Sequence, residues 1–244
     1  MIYRVRKGQV SYGEAIGIIL IENFAPFIPG DVANASTYSF PVRFQRIKGL
    51  TGKNLVWYKD TTMLNSVIEA GKELVKEGVR AVTGDCGYLA LYQKEVANQL
   101  GVPVFLSSLL QVPFIFSMLS DGKKVGIICA NSETLDASLL EKVGVDSSIP
   151  LYIKGMQNQE NYLKAFLEEV GVLDSDKIEK EVVSLAEEMI QEEPKVGAIL
   201  LESSVYPPYG AAVQEAVNLP VFDYVTMINY VYSSVVKKRF HGFM

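Results

Sequence analysis

Two short triplets hold the residues best equipped for chemistry in this chain, Asp85-Cys86-Gly87 and Glu202-Ser203-Ser204. A cysteine reacts through its thiolate, as a nucleophile or as an acid/base. A serine hydroxyl is a far weaker acid and needs a base beside it. The only histidine, His241, lies near the C-terminus, so a serine–histidine pair would require the tail to fold back. Cys86 follows an apolar run and precedes a segment of helical period. At such a turn the partial positive charge of a helix N-terminus lowers a thiol pKa, whereas the carboxylate of Asp85 opposes ionisation unless it takes part in the proton transfer. The expectation is an acid/base at Cys86 facing the hydroxyl of Ser203.

The elements that must position these residues alternate along the chain. Apolar runs bounded by turn residues predict strands at Ile16–Ile21, Arg80–Thr83, Val104–Leu106, Lys124–Cys129, Leu151–Lys154, Val196–Leu201 and Val221–Phe222. Helical periodicity covers Thr62–Glu77, Leu89–Leu100, Leu109–Leu119, Glu133–Val143, Glu160–Val170, Lys177–Glu192, Tyr209–Ala216 and Val225–Lys238. Such alternation indicates βαβ units and a mainly parallel sheet. Pro41–Ile47 reads as an additional, antiparallel strand.

An internal repeat links the two triplets. Cys86 and Ser203 are 117 positions apart, and the same offset carries Val79 onto Val196, Tyr92 onto Tyr209, and Val102-Pro103-Val104-Phe105 onto Leu219-Pro220-Val221-Phe222. A second match, at an offset of 109, joins Ile16-Gly17-Ile18-Ile19 to Val125-Gly126-Ile127-Ile128. Two matches in the same order make the halves copies of one α/β unit. Ligands of open parallel sheets bind beyond the carboxyl ends of the strands, so two facing copies share one crevice there.

The remaining polar residues at those ends form a candidate substrate-binding set. Asn131, Ser132 and Thr134 open a predicted helix, where free N–H groups and hydroxyls suit a carboxylate. Glu22 and Asn23 end the first strand at the equivalent place, and Asp85, Gly87 and Ser204 flank the central pair. The loop Asn23–Thr37, with Asn34 in it, is placed to cover the crevice. Cys129 reads as core, and Tyr92, Tyr209 and Trp57 as packing residues.

Composition narrows the field. The 244 residues are 49% hydrophobic and 21% charged, with a formal net charge of −5 and no basic stripe, which argues against a nucleic-acid partner. Two distant cysteines give no disulfide scaffold, and a reducing cytoplasmic setting is expected. Arg4, Arg6 and Lys7 precede the apolar run Ala15–Ile21, but that run is too short to span a bilayer, and no membrane association is expected. Dinucleotide-binding and phosphate-binding glycine motifs, the serine nucleophile elbow and metal-spaced His/Cys sets are all missing from the sequence, so no metal is expected.

Gly84-Asp85-Cys86-Gly87, Leu201-Glu202-Ser203-Ser204 with Pro207-Pro208-Tyr209, Ile28-Pro29-Gly30-Asp31 and Ala130-Asn131-Ser132-Glu133-Thr134 together resemble the aspartate/glutamate racemase superfamily, over nearly the whole chain. That group includes amino-acid and hydantoin racemases, maleate isomerases and arylmalonate decarboxylases. The resemblance implies two pseudo-symmetric Rossmann-like (flavodoxin-like) parallel-sheet domains, residues 1–107 with 223–244 and residues 108–222, with the active site between them. It also implies cofactor-independent chemistry, without metal or pyridoxal phosphate, on a small carboxylate or hydantoin, in a homodimer or higher homo-oligomer. In that chemistry one thiol removes the proton next to a carbonyl and a second thiol returns one. Here the second position is Ser203, either a native hydroxyl or a substituted thiol. Gly87-Tyr88 and Ser204-Val205 also replace the family's Asn-Thr and Thr-His. Racemisation or epimerisation is the expected activity. The alternatives are decarboxylation or cis–trans isomerisation of a small diacid, and carboxylate binding without turnover.

Overall fold

The computed structural model describes residues 2–5 and 7–244; Met1 and Arg6 of the N-terminal basic stretch lie outside the described residues. Among the described residues, eight strands form two four-stranded sheets in which every pairing is parallel. The first has the order β2-β1-β3-β4, from β1 (Ile16–Glu22), β2 (Val42–Thr51), β3 (Ala81–Gly84) and β4 (Val104–Phe105). The second has the order β6-β5-β7-β8, from β5 (Lys124–Cys129), β6 (Leu151–Gly155), β7 (Val196–Leu201) and β8 (Val221–Phe222). The two orders are the same, and this is the duplicated α/β architecture that the repeat predicts.

The offset of 117 holds to the residue. It carries β4 onto β8, and α3 (Gln93–Leu100) onto α8 (Gly210–Val217). Both helices stop on an equivalent left-handed residue, Gly101 (φ 66°) and Asn218 (φ 51°), and both then enter a strand through proline. Glycine and asparagine are the residues that tolerate this C-terminal conformation best.

Burial explains the strand and helix patterns. Ile16, Ile18 and Ile19 in β1, and Val125, Ile127 and Ile128 in β5, are fully buried, as continuous apolar runs are in sheets covered on both faces. α2 (Leu64–Lys76) buries Val67, Ala70, Gly71 and Leu74, one face at helical spacing. α7 (Ser175–Glu192) covers the second sheet in the same way through Ile178, Val182, Leu185, Ala186 and Met189. The last helix, α9 (Tyr224–Val235), follows β8 yet packs on the first sheet, where Tyr224, Met227 and Ile228 join Ile16, Ile18, Ala81 and Phe105 in one cluster. Cys129 is buried in the main core.

Three local expectations are corrected. Pro41–Ile47 belongs to β2, but β2 runs parallel to β1, pairing Ile16 with Val42. Its alternating pattern reflects a half-exposed edge strand, which looks the same in either direction. The predicted helix Glu133–Val143 shrinks to α5 (Ala137–Glu141), because Asp136 caps Leu139 N–H, while Asn131 turns the preceding segment by accepting from Glu133 N–H. Segment 160–170 holds one turn of α-helix, α6 (Glu160–Tyr162), and then a π-helical turn over Leu163–Leu167. Two short helices complete the set: α1 (Gly52–Val56), held by a Thr51/Asn54 capping box, and α4 (Val112–Ser117). Among the described residues, no helix is long and apolar enough to cross a membrane.

Candidate active site

Asp85 and Glu202 end the central strands of the two sheets, and the repeat relates their bonding as well as their positions. Asp85 N–H donates to Ile19 O (3.1 Å) and Glu202 N–H to Ile128 O (2.8 Å). In turn Ile21 N–H donates to Asp85 Oδ1 (3.0 Å) and Ala130 N–H to Glu202 Oε2 (3.2 Å). Each carboxylate thus staples the end of its own strand to the neighbouring one. The next residues, Cys86 and Ser203, are thereby presented from the two halves to a single cavity, which both of them line.

Each half also reaches into the other. Tyr88, in the 3-10 turn that begins after Cys86, donates its hydroxyl to Asn131 O (2.6 Å) and lies 3.0 Å from Thr134 Oγ1. Ser204 Oγ donates to Asp85 O. Val32 N–H, in the loop after β1, donates to Ser204 O (3.2 Å), and the positive φ of Gly30 (102°) lets that loop turn against Pro208. The inner cavity measures about 40 Å³, room for a few water molecules. Phe166 and Leu167 of the π-helical turn close one side. Beyond Ile21 and Asn23 it continues into a groove of about 380 Å³ that includes Phe24, Arg46 and Glu169. Phe24 N–H donates to Glu169 (3.2 Å), whose own φ is +54°, and the Phe24 ring packs on Gly171. Of the loop over Asn23–Thr37, the first residues, Asn23, Phe24 and Phe27, line this groove. Asn34 is used inside it, donating to Phe27 O and accepting from Ser36.

The electrostatics differ from the expectation in one important respect. Cys86 does stand at a helical N-terminus, but burial, the carboxylate of Glu202 and that of Asp85 push its thiol well up, and the N–H groups of Tyr88 and Leu89 oppose this only in part. A 3-10 turn offers little dipole, and a cysteine 8% exposed has little water to stabilise its charge. Burial also raises Glu202 to about 7, Asp31 to about 7, and Asp85 well above the usual carboxylate range. Among the described residues, no Lys, Arg or His lines the inner cavity; its walls combine the carboxylates of Asp85 and Glu202, hydroxyls, the rings of Tyr88, Tyr162 and Phe166, and aliphatic side chains such as Ile21, Leu167 and Val205.

Of the residues singled out from sequence, Cys86, Ser203, Asn23, Asp85, Gly87 and Ser204 line the inner cavity. Asn23 Oδ1 is buried there without a hydrogen-bond partner among the described residues. Glu22 lies in the outer groove, accepting from Gly49 N–H (2.8 Å) and facing Arg46 at 3.8 Å. Asn131, Ser132 and Thr134 lie behind Tyr88 and outside the cavity lining, and Ser132 is tied to Gln157. They occupy a turn, so the anion site expected from a helix N-terminus is not formed there. Sequence reasoning passed over Tyr162 and Phe166, whose helical spacing reads as packing. It treated Glu202 as a neighbour, although its equivalence to Asp85 was visible in the repeat.

No family model matches the chain. Among characterised proteins it is 28% identical over 222 residues to a dimethylsulfoniopropionate lyase of Durusdinium sp. clade D, covering 88% of this chain and 73% of that protein. It is 29% identical over 224 residues to dimethylsulfoniopropionate lyase 7 of Emiliania huxleyi (strain CCMP1516), covering 88% and 65%. Lyase 5 of the same strain is 27% identical over 234 residues, and there the match spans 90% of this chain but 45% of the relative. Solved structures add the fold. Arylmalonate decarboxylase superposes with a TM-score of 0.58 at 16% identity, over 90% of this chain and 91% of that one. The aspartate racemase of Picrophilus torridus gives 0.59 at 18%, over 94% and 96%. A glutamate racemase of Bacillus anthracis gives 0.57 at 12%, over 92% and 85%. Two copies of a four-stranded parallel sheet, joined at a crevice between their central strand ends, thus give this chain the fold seen in arylmalonate decarboxylase and in aspartate and glutamate racemases.

Proposed function

We propose that the crevice removes a proton from the carbon next to a carboxylate, with Cys86 as the base, and that the resulting carbanion is consumed by β-elimination. The observation that carries this reading is a single sulfur and a hydroxyl, those of Cys86 and Ser203, lining one cavity from the two halves. Racemisation needs an acid of suitable pKa on each face of the carbon, and a serine without a base beside it does not supply the second. Elimination needs one base and a leaving group. With a sulfonium carboxylate the Cα–H bond breaks toward Cys86 Sγ, its electron pair becomes the C=C bond, and the C–S bond breaks with its pair leaving on sulfur. Dimethylsulfoniopropionate would yield dimethyl sulfide, acrylate and one proton.

The chemistry of the walls supports a positively charged substrate. An onium centre is favoured by the faces of Tyr88, Tyr162 and Phe166 and by nearby carboxylates, and no basic side chain in the cavity repels it. The substrate carboxylate would meet the amide of Asn23 and the hydroxyl of Ser203. Similarity to lyases acting on dimethylsulfoniopropionate agrees with this choice. The inner cavity has room for only a few water molecules, so a bound substrate would extend toward the outer groove, where the Phe24–Glu169 contact stands at the way in.

Headspace measurement of dimethyl sulfide from dimethylsulfoniopropionate, for wild type and Cys86→Ala, tests the reading. Release by the wild type and its loss in the variant are expected. Equal release by both removes Cys86 from the chemistry. Deuterium exchange at the α-carbon of small carboxylic acids, gained on Ser203→Cys, would instead favour the racemase type of reaction.

A further inference from the structure

Glu202 has an unusual place for a charged residue. It is 1% exposed, and only one of its two carboxylate oxygens is used. Oε2 accepts Ala130 N–H, whereas Oε1 is buried with no hydrogen-bond partner among the described residues. Nearly all buried polar atoms are paired, so an orphaned carboxylate oxygen beside a ligand cavity calls for a chemical explanation. The oxygen lies directly against the residue that follows the thiol: a Cβ built on Gly87 would fall 1.7 Å from Oε1. Glycine at 87 is what lets this carboxylate pack against the residue next to Cys86, so that Oε1 and the sulfur border the same cavity without a direct hydrogen bond between them.

We propose that Glu202 is the proton acceptor for the Cys86 thiol, holding Oε1 free against Gly87 so that the S–H proton can pass to it. The proposal rests on the reading of Cys86 as the acid/base. It answers the difficulty that the thiol itself is hard to ionise. Transfer within the pair moves the negative charge from carboxylate to sulfur without adding net charge to the buried site, whereas ionisation to solvent places two anions side by side. The S–H bond breaks and an O–H bond forms at Oε1, giving thiolate and neutral carboxylic acid. The thiolate then takes the α-proton and returns to thiol. The proton on Glu202 is the one lost to solvent in each elimination.

Asp85, the repeat equivalent, offers no such opportunity, because it sits on the thiol's own strand end and, among the described residues, only Glu202 of the two has a buried oxygen left without a partner. The other titratable groups acting on the pair are Asp85, Tyr88, Tyr92, Cys129, Tyr162, Tyr206 and Tyr224, all neutral or acidic. Burial places Glu202 near 7, where it can both accept and release a proton at neutral pH.

Alkylation of Cys86 by iodoacetamide without substrate, resolved from Cys129 by peptide mass spectrometry between pH 5 and 10, tests this. A coupled pair titrates in two macroscopic steps. The wild-type rate is expected to rise twice, first near pH 7 and again at high pH. Glu202→Gln should abolish the first rise and slow labelling at pH 7.5 roughly tenfold or more. Glu202→Asp, which keeps the charge but withdraws it by one methylene, should also lose the first rise, so the test stands if the glutamine variant fails to fold. A single rise in the wild type, or a first rise retained in either variant, overturns the proposal. Two-step alkylation without dimethyl sulfide release would leave the proton transfer standing and remove the substrate assignment; release with single-step alkylation would do the reverse.

Discussion

Replacing Gly87 by alanine probes the contact on which the site is built. The new Cβ would lie 1.7 Å from Glu202 Oε1, 2.5 Å from Cδ and 2.9 Å from Cγ, whereas real Cβ contacts essentially never fall below 3.0 Å. The carboxylate must therefore retreat by at least about 1.3 Å. The Ala130 N–H bond, already 3.2 Å long, does not survive such a move, and leaving that buried donor and the carboxylate unpaired costs about 1–3 kcal/mol. Overpacking adds about 1–3 kcal/mol. A total of roughly 2–6 kcal/mol, against a typical stability of about 5–15 kcal/mol, is expected to leave the chain folded with Tm lowered by roughly 4–24 °C. Gly52→Ala is the control, since its Cβ would meet nothing closer than 3.9 Å. Circular dichroism melts of both variants, followed by the pH profile of Cys86 alkylation, give the readout. Glu202 pushed from its place should lose the step near pH 7 in Gly87→Ala alone. A Gly87→Ala protein that melts with the wild type and keeps that step would refute the packing of Glu202 against Gly87, and with it the placement of the pair.

Cys86→Ala should lower dimethyl sulfide release by about 10²–10⁴-fold, the usual worth of a general base, with circular dichroism unchanged. Glu169→Gly removes both the acceptor for Phe24 N–H and a strained φ, so Cys86 alkylation at fixed pH should become several-fold faster; an unchanged rate would show that this contact does not gate the cavity. The buried acids set a pH dependence of stability. Asp31 rises from 3.8 to about 7 and Glu202 from 4.5 to about 7, so the folded state holds protons that the unfolded state has lost. Stability should therefore fall as pH climbs from about 4 to about 7 and level off above, by up to about 3–4 kcal/mol per group. Urea midpoints should be higher at pH 5 than at pH 8, and Asp31→Asn should flatten the slope; midpoints that rise with pH would contradict these carboxyls being buried and unpaired by cations.

Much of the architecture could be read from the chain because the repeat constrains it twice. Val102-Pro103-Val104-Phe105 and Leu219-Pro220-Val221-Phe222 mark equivalent edge strands, and the equivalence places Cys86 opposite Ser203 before any coordinates are known. The direction of β2 was not readable, since alternation reports which face is wet and says nothing of the partner's orientation. The turn at Asn131–Thr134 was misread because asparagine caps helices and makes Asx turns with the same hydrogen bond, and Asp136 downstream won the helix. The sign of the Cys86 shift was missed for a different reason. A helix N-terminus acts locally and is visible in sequence, whereas the opposing carboxylate comes from a residue 116 positions away and acts only once the halves close. Tyr162 and Phe166 were hidden because an amphipathic pattern does not separate core from cavity wall.

The account depends on a sulfur that small carboxylates can reach between two domains. A halogenated short-chain carboxylate, used as an alkylating probe and followed by peptide mass spectrometry, measures this directly. Saturable modification of Cys86, slowed by dimethylsulfoniopropionate, with Cys129 untouched, is the outcome expected. Modification of both cysteines at similar rates, or of Cys86 with no protection, would contradict a ligand site at that crevice.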